Sequence, residues 1–216
     1  MKEYTKIGNI FKYDEKSRGI VGLTDFYNTF KGMEFIGTEK VDGTNIRIGW
    51  DGHRITYAGR TDKAEIPREL SDSLTNTFCT PEMEYVFEQL FDDKTCILFG
   101  EGYGAKIQSG GDYSPTQKFI LFDVQIDCFY LSRENVADIA SKLGLDVVPV
   151  VFRGTLDEAI TFVSEHHMST LGNGKHEMEG LVLQPAGEVL YDHRMKPVKC
   201  KCKYRDVIKY FETKEG

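Results

Sequence analysis

The stretch Thr38-Glu39-Lys40-Val41-Asp42-Gly43-Thr44-Asn45 carries the strongest signal in the sequence. Two strand-like runs, residues 35–40 and 44–50, flank its Val-Asp-Gly turn. This pattern predicts two strands joined by a tight bend, with the amine of Lys40 beside the bend. A Lys-Val-Asp-Gly turn is common between strands, so the stretch indicates a functional site only together with other segments of the chain.

Two acidic residues and a row of lysines supply those other segments. Glu101 ends an apolar strand-like run and is followed by glycine, and Glu179 begins another such run. Three lysines near the C-terminus alternate with cysteines and therefore line one face of a predicted strand. They are Lys199, Lys201 and Lys203. A lysine row that faces inward is costly unless an anion meets it, so the set predicts a nucleoside triphosphate site with metal-binding acids and a nucleophilic lysine.

The remaining sequence predicts a fold that mixes strands and helices. Apolar alternation and turn residues predict further strands at residues 54–60, 95–100, 118–126, 147–152, 179–184 and 198–204. Helix caps followed by apolar residues at helical spacing predict helices at residues 81–91, 132–143 and 155–166, with a short helix closing the chain. We therefore predict one α+β domain over residues 1–216, with two mainly antiparallel sheets and flanking helices.

The charge of the chain is unevenly distributed. Its 27 Lys and Arg against 34 Asp and Glu give a net charge of −7, which argues against a protein that coats nucleic acid by bulk charge. Between Arg194 and Lys209, however, seven basic residues stand against a single acidic one, Asp206. Such a segment can face phosphate groups, so we expect salt-sensitive binding to nucleic-acid ends.

Cysteine usage and hydropathy indicate a cytoplasmic protein. The five cysteines are odd in number and include no Cys-x-x-Cys pair, so reduced thiols are expected. Cys200 and Cys202 share one face of a strand, where they are expected to be small core residues. No apolar run approaches the ~18 residues of a membrane span, and the first residues lack the apolar core of a signal peptide. We expect neither a membrane protein nor a secreted one.

Six segments together resemble the motifs of the covalent nucleotidyltransferase superfamily, which includes polynucleotide ligases and mRNA capping enzymes. In the family order they are residues 40–43 (motif I), 58–61 (Ia), 99–101 (III), 118–123 (IIIa), 179–182 (IV) and 199–203 (V). The resemblance covers residues 35–204 and is strongest to ATP-dependent RNA ligases of the RNA ligase 2 type, found in many phages. It implies a nucleotidyltransferase, ATP-grasp-like core.

The resemblance also implies a three-step reaction with ATP and Mg²⁺ or Mn²⁺. Lys40 attacks the α-phosphate of ATP and becomes a lysyl-AMP, AMP passes to a 5′-phosphate end, and a 3′-hydroxyl displaces it to seal the strand. Lys40 must lose its proton to act, although a free lysine amine is protonated at neutral pH. Neighbouring cations and a hydrated metal favour that loss.

The same resemblance assigns roles to residues of this sequence. Lys201 and Lys203 grip the α-phosphate, or Lys199 and Lys201 do, since the register of motif V is open. Glu179 and Glu101 are candidate metal ligands, and Glu101 is alternatively a ribose contact. The nucleotide-binding residues are Phe119, stacked on adenine; Arg60, on a phosphate; and Glu39 and Asn45, on adenine or the transferring phosphate.

Several alternatives stay open. Thirteen residues follow Lys203, which leaves no room for the OB domain of larger ligases or for a C-terminal helical domain. We expect a bare catalytic core, for which a protein partner could replace the missing domain. The other candidates are a capping-type guanylyltransferase that uses GTP, a DNA ligase, and a non-sealing module that binds ATP and nucleic-acid ends.

Overall fold

The computed structural model describes residues 1–108, 110–172 and 174–215. The strands are β1 (Gly8–Asn9), β2 (Phe11–Tyr13), β3 (Ile20–Leu23), β4 (Phe35–Glu39), β5 (Thr44–Trp50), β6 (Ile55–Ala58), β7 (Cys96–Tyr103), β8 (Lys118–Ile126), β9 (Phe129–Tyr130), β10 (Val150–Gly154), β11 (Gly180–Pro185) and β12 (Cys200–Lys203). The helices are α1 (Asp25–Phe30), α2 (Arg68–Phe78), α3 (Pro81–Phe91), α4 (Arg133–Leu143), α5 (Leu156–Ser164) and α6 (Tyr204–Glu215), with a 3₁₀ turn at Gly110–Asp112.

The chain forms two compact units, each built from separate stretches of sequence. Unit 1 comprises Met1–Thr5 and Val41–Val148, and unit 2 comprises Lys6–Lys40 and Pro149–Gly216. Each unit has its own five-stranded sheet and its own buried apolar cluster. The predicted α+β fold with two mainly antiparallel sheets is confirmed.

The sheet of unit 2 has the strand order β1-β12-β11-β4-β10, and only the β1–β12 pair is parallel. Helix α5 begins with a capping box between Thr155 and Glu158, as the sequence predicts, and buries its apolar residues in the core of this unit. On β12 the thiols of Cys200 and Cys202 are buried in that core. The alternation of the strand therefore leaves Lys201 and Lys203 on its opposite, partly exposed face.

The sheet of unit 1 has the order β6-β5-β7-β8-β9 and is antiparallel throughout. Helix α3 begins at Pro81 with Thr80 as its cap, and α4 runs from the cap Ser132 to a left-handed Gly144, as predicted. The apolar faces of α2, α3 and α4 complete the core of this unit. Burial of these faces fixes the helices against the sheet.

Several elements differ from the sequence prediction, which did not include β1, β2, β3, β9 or α1. Helix α2 is additional, and the strand expected at residues 147–152 is found slightly later as β10. The stretch from Lys40 to Gly43 is not a hairpin turn. Strand β4 pairs with β10 and β11, whereas β5 pairs with β6 and β7, so the turn connects strands of two different sheets. Across the described residues, every helix is too short or too polar to cross a membrane.

Candidate functional site

A cluster of opposite charges surrounds the predicted nucleophile in unit 2. Lys40 directly follows β4, and its backbone N–H donates to Gly180 O at 2.9 Å, which fixes its backbone beside β11. Its Nζ donates to Glu179 Oε2. The other carboxylate oxygen of Glu179, Oε1, contacts Lys203 Nζ at 2.5 Å. Motifs I, IV and V of the sequence thus meet at one carboxylate, because antiparallel pairing places Gly180 opposite Lys203.

The cluster perturbs two ionisable groups. Burial alone would raise the pKa of Glu179, but the charges and hydrogen bonds of Lys40 and Lys203 more than offset it and lower that pKa. Burial lowers the pKa of Lys201, and the positive charges of Lys203, Lys40 and Lys6 lower it further against the opposing effect of Glu179. The positive charges of these lysines therefore exceed the single negative charge of Glu179. A phosphate-bearing ligand would relieve this excess.

We expect Glu179→Gln to destabilise the protein by about 2 kcal/mol at neutral pH, because it leaves two lysines without their shared anion. The pKa of Glu179 lies below its ordinary value of 4.5, so this stabilisation is complete above that pH. It is lost as the pH falls through the lower pKa of the folded protein. Denaturant unfolding of wild type and variant at pH 7 and pH 3 measures the difference in unfolding free energy.

The exposed helix residue Glu134 offers the matched control, since Glu134→Gln removes a carboxylate outside the cluster. We expect it to change the unfolding free energy little at either pH. A Glu179→Gln effect that is equally large at pH 3 and pH 7 would contradict the charge explanation.

Glu39 lies immediately before the nucleophile, and its side chain is 1 % exposed. Ser169 Oγ donates to its Oε1, and Thr170 donates to its Oε2 from the backbone N at 2.9 Å and from Oγ1 at 2.7 Å. Both carboxylate oxygens are thus engaged by a polar loop of the same unit. This explains how a carboxylate can be buried here, since buried charges need hydrogen-bond partners.

In unit 1, β5 and β7 bring two predicted site residues opposite each other. Their register pairs Asn45 with Glu101. The Oδ1 atom of Asn45 is buried and has no hydrogen-bond partner within the described part of the chain. Such an atom is costly unless a ligand or water satisfies it. A side chain at Gly43 is excluded, because its Cβ would lie 2.3 Å from Gly102 O. Glycine is therefore required in motif I for the two strands to approach.

The two other predicted residues of unit 1 differ in exposure. Phe119 is half-buried on β8, and its ring meets Phe78 edge-on at a centroid distance of 5.6 Å. Gly100 leaves room for that ring, since a Cβ there would lie 2.2 Å from it. Arg60 is exposed. Phe119 thus has both a core contact and an accessible portion, which a base-stacking residue requires.

Sequence reasoning missed several residues that support these positions. Arg47 is fully buried, and its Nε donates to Gly59 O at 2.7 Å, which fixes the backbone just before Arg60. Ser169 and Thr170 hold Glu39, as described above. Two sequence signals could have indicated these residues. One is a single arginine inside an apolar strand, and the other is a pair of hydroxyl residues in a polar loop before β11. The position of Lys6 near Lys201 depends on the parallel pairing of β1 with β12.

Comparison with protein families decides where the chain belongs. The family model described as RNA ligase matches residues 33–211, which is most of the chain. The chain belongs to the RNA ligase family. The resemblance inferred from the six motifs is thereby confirmed. The comparison with curated protein sequences gives no match for this RNA ligase family member.

Solved structures similar to this RNA ligase family member include several forms of an RNA ligase from Naegleria gruberi. A mutant with ATP and Mn has a TM-score of 0.69 and 18 % identity over 100 % of this chain. The form with PPi has a TM-score of 0.68 and 16 % identity over 99 % of it. These similarities show a shared fold. The chain spans only 59 % and 58 % of the length of those proteins.

The acidic residues of this family member suit a metal ion that arrives with a nucleotide. Within residues 1–108, 110–172 and 174–215, no three His, Cys, Asp or Glu side chains form a group able to hold a metal ion. Mg²⁺ is commonly held by one or two carboxylates and the phosphates of a substrate. Unit 2 provides one such carboxylate, Glu179, beside Lys40. The residues present therefore fit a divalent ion bound largely through the phosphate groups of a ligand.

Proposed function

We propose that this chain carries the lysine-adenylylating activity of an ATP-dependent RNA ligase, with Lys40 as the nucleophile. The observation that carries the proposal is that the amines of Lys40 and Lys203 both contact the carboxylate of Glu179. Lys201 lies on the same strand as Lys203, and burial together with the charges of Lys203 and Lys40 lowers its pKa. An amine beside a surplus of cations is suited to attack an anionic phosphate. Membership of the RNA ligase family supports ATP and RNA as the substrates.

The proposed step transfers AMP to the chain. The unprotonated Nζ of Lys40 donates its electron pair to the α-phosphorus of ATP, and a nitrogen–phosphorus bond forms. The bond between the α-phosphorus and the bridging oxygen breaks, so pyrophosphate leaves with that electron pair. The proton of the Lys40 ammonium is released to solvent before attack. Lys201 and Lys203 stabilise the negative charge on the α-phosphate oxygens in the transition state.

A divalent ion bound at this site supplies charge neutralisation of the triphosphate. In unit 2, Glu179 is the residue that would hold it. Glu179 forms ion pairs with Lys40 and Lys203 and so holds the two amines next to its carboxylate. Phosphate oxygens would be alternative partners for the two lysines, and Glu179 would then be available as a ligand of the ion.

Unit 1, taken by itself, carries the residues that the family resemblance assigns to the nucleotide and to the RNA end. The unsatisfied Oδ1 of Asn45 accepts a hydrogen bond from the ligand. The accessible part of Phe119 stacks on adenine, and the exposed Arg60 contacts a phosphate. Glu101 keeps the two roles that the resemblance gives it, a contact to the ribose or to a metal ion. The following steps pass AMP to a 5′-phosphate of RNA, where a 3′-hydroxyl displaces it and seals the strand.

The location that suits this activity is the cytoplasm. All five cysteines are free thiols, and ATP-dependent RNA joining requires nucleotides and RNA ends that are found inside cells. The exposed cations of the segment from Arg194 to Lys209 support contact with RNA phosphates. Within this segment Asp206 is 2 % exposed and accepts a hydrogen bond from Asn9, so its charge is directed inward.

The experiment is to incubate the purified chain with Mg²⁺ and α-labelled ATP or GTP and to look for labelled protein. We expect label from ATP only. Label from GTP only would favour a capping-type guanylyltransferase, and no label from either nucleotide would overturn the proposal.

The adenylylated chain is then offered nicked duplexes of RNA and of DNA. Sealing of RNA supports the full ligase reaction, whereas sealing of DNA alone indicates a DNA ligase. AMP transfer or label retention without sealing indicates a module that requires a protein partner.

A further inference from the structure

The segment between α5 and β11, described at residues 165–172 and 174–178, contacts the neighbours of Lys40 and Lys203 and contains the neighbour of Glu179. Glu39 precedes Lys40, Met178 precedes Glu179, and Tyr204 follows Lys203. The segment and these neighbouring residues all belong to unit 2.

The first contact is with Glu39. Ser169 and Thr170 donate three hydrogen bonds to its carboxylate, and Ser169 Oγ also accepts from Leu171 N at 3.0 Å. The hydroxyl of Ser169 is therefore fixed in one orientation. Since Glu39 is the last residue of β4, the turn at residues 169–171 holds the strand end from which Lys40 projects.

The second contact holds the segment to the base of β11. Met178 N donates to His167 O at 2.9 Å, and Ser169 N donates to His176 O at 2.8 Å. Met168 forms a bridge with Glu177 between these two bonds. The two limbs of the segment are thus paired, and the limb that carries Ser169 is fixed relative to the residue that precedes Glu179.

The third contact is with the end of β12. The ring of His166 stacks on Tyr204 with a centroid distance of 3.9 Å and an interplanar angle of 5°. Tyr204 N in turn donates to Glu179 O at 3.0 Å. This ties the start of the segment to the residue that follows Lys203.

We propose that residues 165–172 and 174–178 form a positioning segment for the nucleophile, in which Ser169 and Thr170 act through the buried Glu39 carboxylate to orient Lys40. Glu39 is then an anchor of the strand end, and the hydroxyls of the turn are the positioning residues. This goes beyond the role that the family resemblance assigns to Glu39, contact with adenine or the transferring phosphate. The proposal rests on Lys40 being the adenylylated residue.

The distinction between anchor and nucleotide ligand has a kinetic consequence. A residue that orients the nucleophile affects the reaction of bound ATP, since small misplacements of reacting groups cost large factors in rate. A residue that binds adenine affects how much ATP is needed for half-saturation. The two roles therefore separate in the maximal rate and in the half-saturating ATP concentration.

The test is the Ser169→Ala/Thr170→Val double variant of the full chain, with single-turnover formation of lysyl-AMP measured over a range of ATP concentrations. We expect the maximal rate to fall by about tenfold or more, with the half-saturating ATP concentration within about twofold of wild type. Ser169→Thr/Thr170→Ser retains both hydroxyls and is expected to recover most of the rate. Thr161→Val, on the exposed face of α5, is the matched control and should leave both parameters unchanged.

Glu39→Gln extends the test to the carboxylate and nearly preserves the shape of the side chain, in case the double variant folds poorly. We expect a lower maximal rate with unchanged half-saturation. An unchanged maximal rate in both Glu39→Gln and a folded double variant would overturn the positioning role, as would a defect confined to half-saturation. A wild-type chain that forms no lysyl-AMP would overturn the proposed function itself, and the positioning role with it.

Discussion

Lys40→Arg is expected to abolish formation of the covalent AMP adduct, with a loss in rate of ~10⁴-fold or more. Arginine preserves a positive charge that can pair with Glu179, so the cluster retains its electrostatic balance. The guanidinium group stays protonated and has no free electron pair with which to attack phosphorus. This variant therefore removes nucleophilicity while it preserves charge, which Lys40→Ala does not.

The measurement is labelling of the protein by α-labelled ATP, compared at equal protein concentration and over long incubation. The matched control is Lys142→Arg, because Lys142 is an exposed lysine of α4 outside the cluster. It should be labelled at the wild-type rate. ATP affinity of Lys40→Arg, measured by competition against a fluorescent analogue, should change by less than about tenfold. Persistent labelling of Lys40→Arg would place the nucleophile at another lysine, which peptide mapping would identify.

The elements that local sequence signals describe were predictable. Helices α3, α4 and α5 each begin at a hydroxyl side chain that caps the first turn, and each has apolar residues at helical spacing. The alternation of lysine and cysteine on β12 predicted which face is buried. Such signals depend on neighbours within a few residues, so one sequence is sufficient to interpret them.

Helix α2 escaped prediction because its start lacks a local signal. Pro67 precedes it and provides no side-chain cap, and much of the helix consists of Ser, Thr, Asp and Asn, which are weak helix formers. The helix is held by the burial of Leu70, Leu74 and Phe78, which are spaced four residues apart. That spacing is visible in the sequence and was the signal available to find it.

Strand pairing and the anchoring of Glu39 were beyond the reach of local reasoning. The sequence places Lys40 in a turn between two strands but contains no information about which distant strands those two will pair with. Ser169 lies 130 residues from Glu39, yet the two share a hydrogen bond. Contacts of this range arise from the packing of the whole unit, so composition and spacing cannot reveal them.

The sequence left open whether Lys199 and Lys201 or Lys201 and Lys203 form the phosphate-binding pair of motif V. The positions of these lysines relative to Glu179 favour the second pair. Lys203 contacts that carboxylate, and Lys201 lies on the same strand and is electrostatically linked to Lys203 and Lys40. Lys199 precedes the first residue of β12. We therefore expect Lys201 and Lys203 to be the pair that grips the α-phosphate, and Lys199 to be dispensable for the adenylylation step.

Lys201→Ala and Lys203→Ala are each expected to slow lysyl-AMP formation by about 10²–10³-fold, because each removes a donor from the charge that develops on the α-phosphate oxygens. Lys199→Ala, a matched change on the same segment, should remain within about threefold of wild type. The loss should persist at saturating ATP, since the contacts strengthen in the transition state.

A large effect at Lys199 together with a small one at Lys203 would instead identify Lys199 and Lys201 as the phosphate-binding pair. Equal and small effects at all three positions would show that the lysine row does not contribute to the reaction.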